Sequence, residues 1–232
     1  MDSLLQLKAD GHKIFIATGR HRREMAALDI DWSFFDGFVT LNGAVNYDRD
    51  FSFISAYPFD SAARDSVVSI LIEKRIPLFV FTADRMLANV DNEVTRSVLA
   101  SISLPPPCYE LPEEDEEIYQ LVFYASREEE PAIMRNFPLC TATRWNEYAF
   151  DCVLAGVGKD RGVRDVLRAL GRDEEHCIVF GDGDNDASML AAFEKSVAMG
   201  NATERAKQAA SFITDDIDDD GVQKALRHFG LI

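Results

Sequence analysis

The residues best suited to chemistry form the acidic turn GDGDND at positions 181–186. The apolar residues 178–180 before it predict a buried strand, and the apolar spacing over 187–193 predicts a helix. Three carboxylates at the end of such a strand repel one another and are costly to remove from water unless a cation compensates them. A hard cation with oxygen ligands, Mg²⁺ before others, would do so. The turn therefore predicts a metal site.

The composition of the same turn allows a simpler interpretation. Gly, Asp and Asn are common in any solvated turn, so a plain surface turn stays open. An EF-hand calcium loop is excluded: counted from Asp182, its required glycine falls on Ala187 and its bidentate glutamate falls on Phe193.

Two further segments carry groups that suit a phosphate. Thr18-Gly19-Arg20 follows the predicted strand 13–17, and its hydroxyl and backbone N–H groups suit an anionic oxygen, although Thr18 is equally suited to capping a helix. Lys159 precedes a predicted helix, and its ammonium matches phosphate, although a lone lysine is more often a surface residue. Each segment is weak by itself, but all three lie at the carboxyl ends of predicted strands, where open parallel sheets bind ligands, and together they form a stronger signal.

The elements that must position these groups alternate at both ends of the chain. Strand, helix and strand at 13–17, 20–28 and 38–41 predict a doubly wound parallel sheet, and the alternation returns after residue 155. The middle of the chain differs, because predicted hairpins at 78–90 and 141–154 indicate antiparallel pairing. The three prolines at 105–107 predict a loop. The sequence thus predicts a core domain from residues 1–54 and 155–232, and an inserted α+β domain at 55–154.

Composition and charge limit the function classes. The chain has 232 residues and a formal net charge of -16, which disfavours nucleic acid and anionic membranes as partners. A phosphorylated small molecule would need a local positive site. The four cysteines form no CxxC pair, so we expect reduced packing residues in a cytoplasmic protein. The first residues lack a long apolar run, so neither a signal peptide nor a membrane span is expected.

The ordered motifs FIATGR, GVGKD and GDGDND resemble those of the haloacid dehalogenase (HAD) superfamily, in its Cof-type branch with a type IIB cap. LNGA at 41–44, VAMGNA at 197–202 and DDDGV at 218–222 extend the resemblance over nearly the whole chain. It implies a Rossmann-like core with an inserted cap at 55–154, and Mg²⁺-dependent hydrolysis of small phosphorylated metabolites, such as sugar phosphates.

The resemblance also implies roles for individual residues. Thr18 would hydrogen-bond the transferring phosphoryl group, Lys159 would neutralise its charge, and Asp186 would support the metal or Lys159. The metal ligands would be Asp182 and Asp186. Phosphate and substrate would contact Thr18, Gly19, Asn42, Lys159 and Asn185.

Arg85, Arg144 and Trp145 are candidate substrate contacts from the cap, although ordinary packing or surface roles are the simpler expectation for each of them.

The first motif of that superfamily, DxDGT, is absent from the sequence. The resemblance places a nucleophilic aspartate, and a second aspartate acting as acid and base, on a central strand upstream of the helix predicted at 3–9. Without them no aspartyl-phosphate forms by the usual route. Either the chain is part of a full enzyme, with Met1 an internal methionine, or it is a catalytically silent relative. As written, the polypeptide is expected to have negligible phosphatase activity.

Three functional hypotheses follow. The first is a magnesium-dependent phosphatase whose nucleophile lies upstream of these residues. The second is a silent protein that binds a phosphorylated metabolite. The third is a phosphomutase or phosphotransferase, which differs from a phosphatase only in the acceptor.

Overall fold

The computed structural model describes residues 2–101 and 106–232. The sequence also predicts a helix over residues 92–102. Its last residue, and Pro105, where the predicted proline loop begins, lie outside the described residues. The described α-helices are α1 (Asp2–Ala9), α2 (Arg22–Ala26), α3 (Ser61–Glu73), α4 (Glu93–Ser101), α5 (Glu130–Met134), α6 (Lys159–Ala169), α7 (Ala187–Ala192), α8 (Glu204–Ala209) and α9 (Gly221–His228).

The strands of the described residues form three sheets. They are β1 (Phe15–Ala17), β2 (Gly37–Thr40), β3 (Val45–Asp48), β4 (Phe53–Ala56), β5 (Leu78–Phe81), β6 (Met86–Ala88), β7 (Gln120–Phe123), β8 (Cys140–Asn146), β9 (Ala149–Leu154), β10 (Val179–Gly181), β11 (Ser196–Ala198) and β12 (Phe212–Ile213). The sheet orders are β1-β2-β3-β4, β10-β11-β12 and β6-β5-β7-β9-β8.

The first sheet is mixed, since β1 and β2 run parallel whereas β2, β3 and β4 are antiparallel. The sequence predicted β1 and β2 but missed the hairpin of β3 and β4. The polar run Asp48-Arg49-Asp50, which begins at the end of β3, hid the pairing, and a β-bulge between Asn46 and Tyr47 also interrupts it. Strand β4 spans the predicted domain boundary after residue 54, so that division stays a prediction.

The second sheet is parallel throughout. Within the described ranges no strand pairing joins β1 to β10, although Ala17 and Phe180 pack into one apolar cluster. Every residue of β2 is buried, whereas every residue of β1 is only half-buried. The parallel part of the protein is therefore built as two sheets that touch through side chains.

The third sheet is antiparallel, as the two predicted hairpins required. Successive side chains of a strand point to opposite faces. On β7, Leu121 and Phe123 accordingly join a cluster with Val67 of α3. Val122 of the same strand joins the cluster that contains Phe38 of β2. One face of this sheet thus packs against its own helices, and the other packs against the first sheet.

The structure corrects the start of the second helix. Residues 20–28 were expected to be helical, but α2 begins at Arg22, after the N-cap residue His21. His21 Nδ1 accepts from the Arg23 N–H, and Glu24 Oε2 accepts from the His21 N–H at 2.6 Å, which completes a capping box.

No helix among the described residues has the length and apolar character needed to cross a membrane.

Candidate active site

Lys159 is the first residue of α6 and is buried, with 5% of its surface exposed. Its Nζ lies 2.5 Å from Oδ1 of Asp186, and both side chains are 6% exposed. A buried charge of this kind is stable only when it is paired, because desolvation of a lone ion costs several kcal/mol. The surface interpretation of Lys159 is therefore wrong, and the lysine is joined to the acidic turn.

The acidic turn folds around the side chain of Asp186. Its Oδ2 accepts the backbone N–H groups of Asp182 and Gly183, each at 2.9 Å. A Cβ at Gly181 would lie 2.5 Å from the Cβ of Asp186, so only glycine leaves room for this arrangement. The interpretation of GDGDND as a plain solvated turn is also wrong, since the Asp186 carboxylate is buried and holds both the turn and the lysine.

Thr18, Gly19, Asn42 and Asn185 meet beside this ion pair. The Thr18 carbonyl accepts the Asn42 N–H at 3.1 Å, and Asn185 Nδ2 donates to Asn42 Oδ1 at 3.0 Å. A Cβ at Gly19 would lie 3.0 Å from the same Asn42 oxygen, so the glycine permits the close approach. Thr18 Oγ1 accepts the Arg20 N–H at 3.1 Å and does not cap α2, so the helix-cap interpretation of Thr18 is wrong.

The backbone between β2 and β3 brings the Asn42 turn against the start of α6. Asn42 has φ 54° and Gly43 has φ 90°, both in the left-handed region. A Cβ at Gly43 would lie 2.1 Å from the carbonyl oxygen of Gly158, which excludes any other residue. Residues 18–20, 41–43, 158–159 and 181–186 therefore form one loop cluster, which contains all seven site residues expected from the sequence.

A cavity of about 210 Å³ opens next to the loop cluster, between the cluster and the antiparallel sheet. We call it the aromatic cavity. It is lined by Gly19, Arg20, Glu24, Phe81, Gln120, Val122, Tyr124, Trp145, Asp151 and Asn185. Of the three cap residues named from the sequence, Trp145 alone lines it.

The two arginines named with Trp145 are engaged elsewhere. Arg85 pairs with Glu116 and also with Glu110 at 3.0 Å. Arg144 pairs with Glu130 at 2.8 Å and donates to several backbone carbonyls. Both therefore serve packing, as the simpler expectation had it.

Asp151 of β9 contacts the loop cluster directly. Its Oδ2 accepts from Asn42 Nδ2 at 2.7 Å, and its Oδ1 accepts from Trp145 Nε1 at 2.7 Å. Burial raises the pKa of Asp151 to about 6, despite these bonds and the more distant charge of Lys159. Asn42 Nδ2 also donates to Gln120 Oε1 at 3.0 Å, so one asparagine joins the loop cluster to two strands of the antiparallel sheet.

Glu24 brings a second buried carboxyl group to the aromatic cavity. Burial raises its pKa to about 7, against the lowering effects of the His21 N–H and of Arg20. Burial also lowers the pKa of His21 to about 4, so its ring is neutral. Because a carbonyl only accepts, His21 Nε2 donates to the Ala83 carbonyl at 3.1 Å and thereby links α2 to the antiparallel sheet.

Sequence reasoning missed Glu24, Gln120, Tyr124 and Asp151 as lining residues. Gln120 and Asp151 lie on strands of the antiparallel sheet and Tyr124 directly follows β7, in runs that read only as buried β-structure. A polar residue inside such a run is the available signal, since Gln120 and Asp151 stand among apolar neighbours and a buried polar group needs a partner.

The oxygen donors of the acidic turn are compatible with Mg²⁺, which is commonly held by one or two carboxylates together with water and substrate phosphate. Asp182 is exposed, and its carboxylate has no hydrogen bond or ion pair among the described residues. A carboxylate offers about four acceptor positions, and Asp186 already uses three of them. Asp182 is therefore the freer donor, while Asp186 mainly holds the lysine.

Comparison with known proteins identifies the family of the chain. A family model described as haloacid dehalogenase-like hydrolase matches residues 1–226. The chain belongs to that family.

Related proteins resemble nearly all of the chain. YkrA of Bacillus subtilis is 29% identical over 99% of this chain and 89% of its own length. The solved structure of BT1666, described among phosphatases of the HAD superfamily from Bacteroides thetaiotaomicron, is 31% identical, with a TM-score of 0.87 and coverage of 100% of this chain and 87% of its own. The structure of the HAD subclass IIB sugar phosphatase BT4131 is 29% identical, with a TM-score of 0.84 and coverage of 100% and 90%. The α/β fold and the type IIB assignment are thus confirmed.

Proposed function

We propose that this family member is a phosphatase of small phosphorylated metabolites, acts in the cytoplasm and requires Mg²⁺. The observation that carries the proposal is the buried pair of Lys159 and Asp186, because it ties an ammonium group to the acidic turn that also carries the exposed Asp182. Several relatives are described as phosphatases, which supports the same reaction class.

The residues of the loop cluster would bind and orient the phosphate. The ammonium of Lys159 attracts the phosphate oxygens, and the Thr18 hydroxyl and the Asn185 amide can donate hydrogen bonds to them. Gly19 leaves the backbone open to the ligand. Asp182, supported by Asp186, would hold Mg²⁺, which supplies further positive charge for the transferring group.

In the proposed reaction the nucleophile would be an aspartate upstream of these residues, since the sequence given contains no DxDGT. Its carboxylate oxygen would bond to phosphorus as the alcohol leaves, and water would then cleave the aspartyl-phosphate to free phosphate. The aromatic cavity, next to the loop cluster, would hold the leaving alcohol and exclude water from it.

The test compares residues 1–232 with the same chain extended by the residues encoded upstream of Met1. The extended protein should hydrolyse p-nitrophenyl phosphate only when Mg²⁺ is present, and residues 1–232 should bind phosphate without turnover. Asp182→Ala in the extended protein should reduce the rate and the Mg²⁺ affinity together, while the control Asp184→Asn, in the same turn, should change neither. An extended protein that fails on a broad panel of phosphate monoesters would refute the proposal.

The absence of DxDGT favours one second candidate, a silent protein that binds a phosphorylated metabolite. The same experiment separates the two, because a binding protein would bind the ligand in both forms and turn over in neither. A phosphotransferase would instead pass the phosphoryl group to an added alcohol acceptor, which product analysis detects.

A further inference from the structure

The aromatic cavity contains two buried carboxyl groups that have no cationic partner. Glu24 is 5% exposed and Asp151 is 7% exposed. Among the described residues neither forms an ion pair, although Arg20 lines the same cavity. Asp151 receives hydrogen bonds only from an amide and an indole, and Glu24 receives one from a backbone N–H at Oε2. No described hydrogen bond reaches Oε1 of Glu24, which leaves one carboxylate oxygen available in the cavity.

This arrangement is costly unless a ligand completes it. A buried carboxylate without a counter-charge is strongly destabilising, whereas a paired one is tolerated. The loop cluster shows the paired solution, with Lys159 at 2.5 Å from Asp186. The cavity lacks the equivalent cation, so a positively charged ligand group would supply the compensation that the protein itself does not provide.

The walls of the cavity suit a cation as well. Phe81, Tyr124 and Trp145 present aromatic rings to the same space. Such rings attract ammonium groups through their electron-rich faces. Rings also cover the carbon skeleton of a ligand, and Gln120 adds an amide for its hydroxyl groups. A hydroxyl group alone would use the hydrogen-bonding capacity of the cavity but would leave both carboxylates uncompensated.

Resting on the proposed phosphatase function, we propose that the leaving group of the substrate carries a positively charged amine, which binds in the aromatic cavity between Glu24 and Asp151. The substrate class is thus an amino-alcohol or amino-sugar phosphate, with its phosphate on the loop cluster and its ammonium group in the cavity. Glu24 and Asp151 are specificity-determining residues for this amine.

The pKa values of the groups in the aromatic cavity agree with the absence of an ion pair for Glu24 and Asp151 among the described residues. Burial raises the pKa values of Glu24 and Asp151 to about 7 and about 6, and each raised value reports a carboxylate without sufficient compensation. Burial also raises the pKa of Tyr124, and the negative charges of Glu24 and Asp151 add to the effect. The opposing positive charges are Arg20 for Glu24 and Lys159 for Asp151.

The test measures binding by calorimetry to residues 1–232 with Mg²⁺ at pH 7. Two pairs of probes differ only in amine or hydroxyl: glucosamine 1-phosphate against glucose 1-phosphate, and glucosamine 6-phosphate against glucose 6-phosphate. A charge-assisted hydrogen bond contributes enough for about a tenfold preference, so at least one amine should bind about tenfold more tightly than its hydroxyl partner. Glu24→Gln, which keeps the acceptor for the His21 N–H, should reduce that preference to near unity.

Glu129→Gln is the matched control. Glu129 makes the same contact as Glu24, since its carboxylate accepts the N–H of the residue three positions earlier, Ser126, at 2.8 Å. It does not line the aromatic cavity, so the variant should keep the wild-type preference. If Glu24→Gln does not fold, Asp151→Asn tests the same prediction.

The outcomes separate this inference from the proposed function. Equal binding of amine and hydroxyl in both pairs overturns the inference and leaves phosphate binding intact. A preference for the amine that survives in both Glu24→Gln and Asp151→Asn overturns the assigned residues. Failure of all four phosphates to bind overturns the proposed function, and the inference with it.

Discussion

The loop cluster and the aromatic cavity are neighbours, but they treat buried charge in opposite ways. In the loop cluster, Lys159 and Asp186 are buried together and neutralise each other at 2.5 Å. In the cavity, Glu24 and Asp151 are buried with neutral donors alone. The first arrangement is complete within the protein and holds the turn in place. The second arrangement has no counter-charge from the described residues of the protein. The loop cluster thus supplies its own counter-charge, whereas the aromatic cavity leaves that place to a ligand.

The largest effect is expected when the buried charge of the loop cluster loses its partner. Lys159→Met leaves the Asp186 carboxylate buried without its cation and should lower the free energy of unfolding by about 3–5 kcal/mol. Chemical denaturation measures the loss.

Lys224→Met is the control for this substitution, because it removes an exposed ion pair with Asp215. It should cost far less stability. Equal losses in the two variants would show that burial adds nothing to the pair.

A second prediction concerns the pH dependence that an unpaired carboxylate imposes. The pKa of Glu24 is raised from 4.5 to about 7, so between these pH values the folded protein binds more protons than the unfolded chain. Stability must then fall as the pH rises through this window, by roughly 3 kcal/mol from this group. Glu24→Gln should remove that part of the fall when unfolding is measured at pH 5 and pH 8.

Other groups also change the free energy of unfolding with pH. The decisive quantity is therefore the difference between wild type and Glu24→Gln in how that free energy depends on pH. Asp151 acts in the same direction as Glu24, since its pKa is raised to about 6. His21 acts in the opposite direction, because its pKa is lowered to about 4 and stability rises with pH between about 4 and 6.5. Glu129→Gln should keep the wild-type profile between pH 5 and pH 8. An unchanged slope in Glu24→Gln would contradict the burial of its charge.

The smallest change in the free energy of unfolding is expected from Asn42→Gly, which tests the connection between the loop cluster and the aromatic cavity. Asn42→Gly keeps the left-handed backbone but removes the amide that bonds Asp151, Gln120 and Asn185. Loss of buried hydrogen bonds to a charged partner should lower the free energy of unfolding by about 2 kcal/mol.

Lys74→Gly controls for the backbone, because Lys74 also has a left-handed φ, 55°, at the exposed end of α3. That variant should be as stable as wild type or slightly more stable. If Asn42→Gly behaves in the same way, the asparagine does not hold the two regions together.

The amino-acid sequence determined much of the loop cluster. Thr18, Asn42, Lys159 and Asp186 stand at the ends of elements whose apolar patterns predicted strands and helices, and the order of the motifs indicated the family. Such segments can be recognised from a local pattern, since a glycine-rich turn after a buried strand fixes its own backbone. The hairpins of the antiparallel sheet were also predicted from a local pattern, because their paired strands are neighbours along the chain.

Only the tertiary structure decided the aromatic cavity and the partners of the buried charges. Glu24 lies in a short helix and Asp151 in a strand, 127 positions away along the chain, and no local pattern indicates that they share a space. The same holds for Lys159, whose burial depends on the turn of Asp186, and for Asn42, whose partners come from β7 and β9. The physical reason is that a sequence pattern reports which face of an element is apolar, whereas the pKa of a carboxyl group depends on every element packed around it.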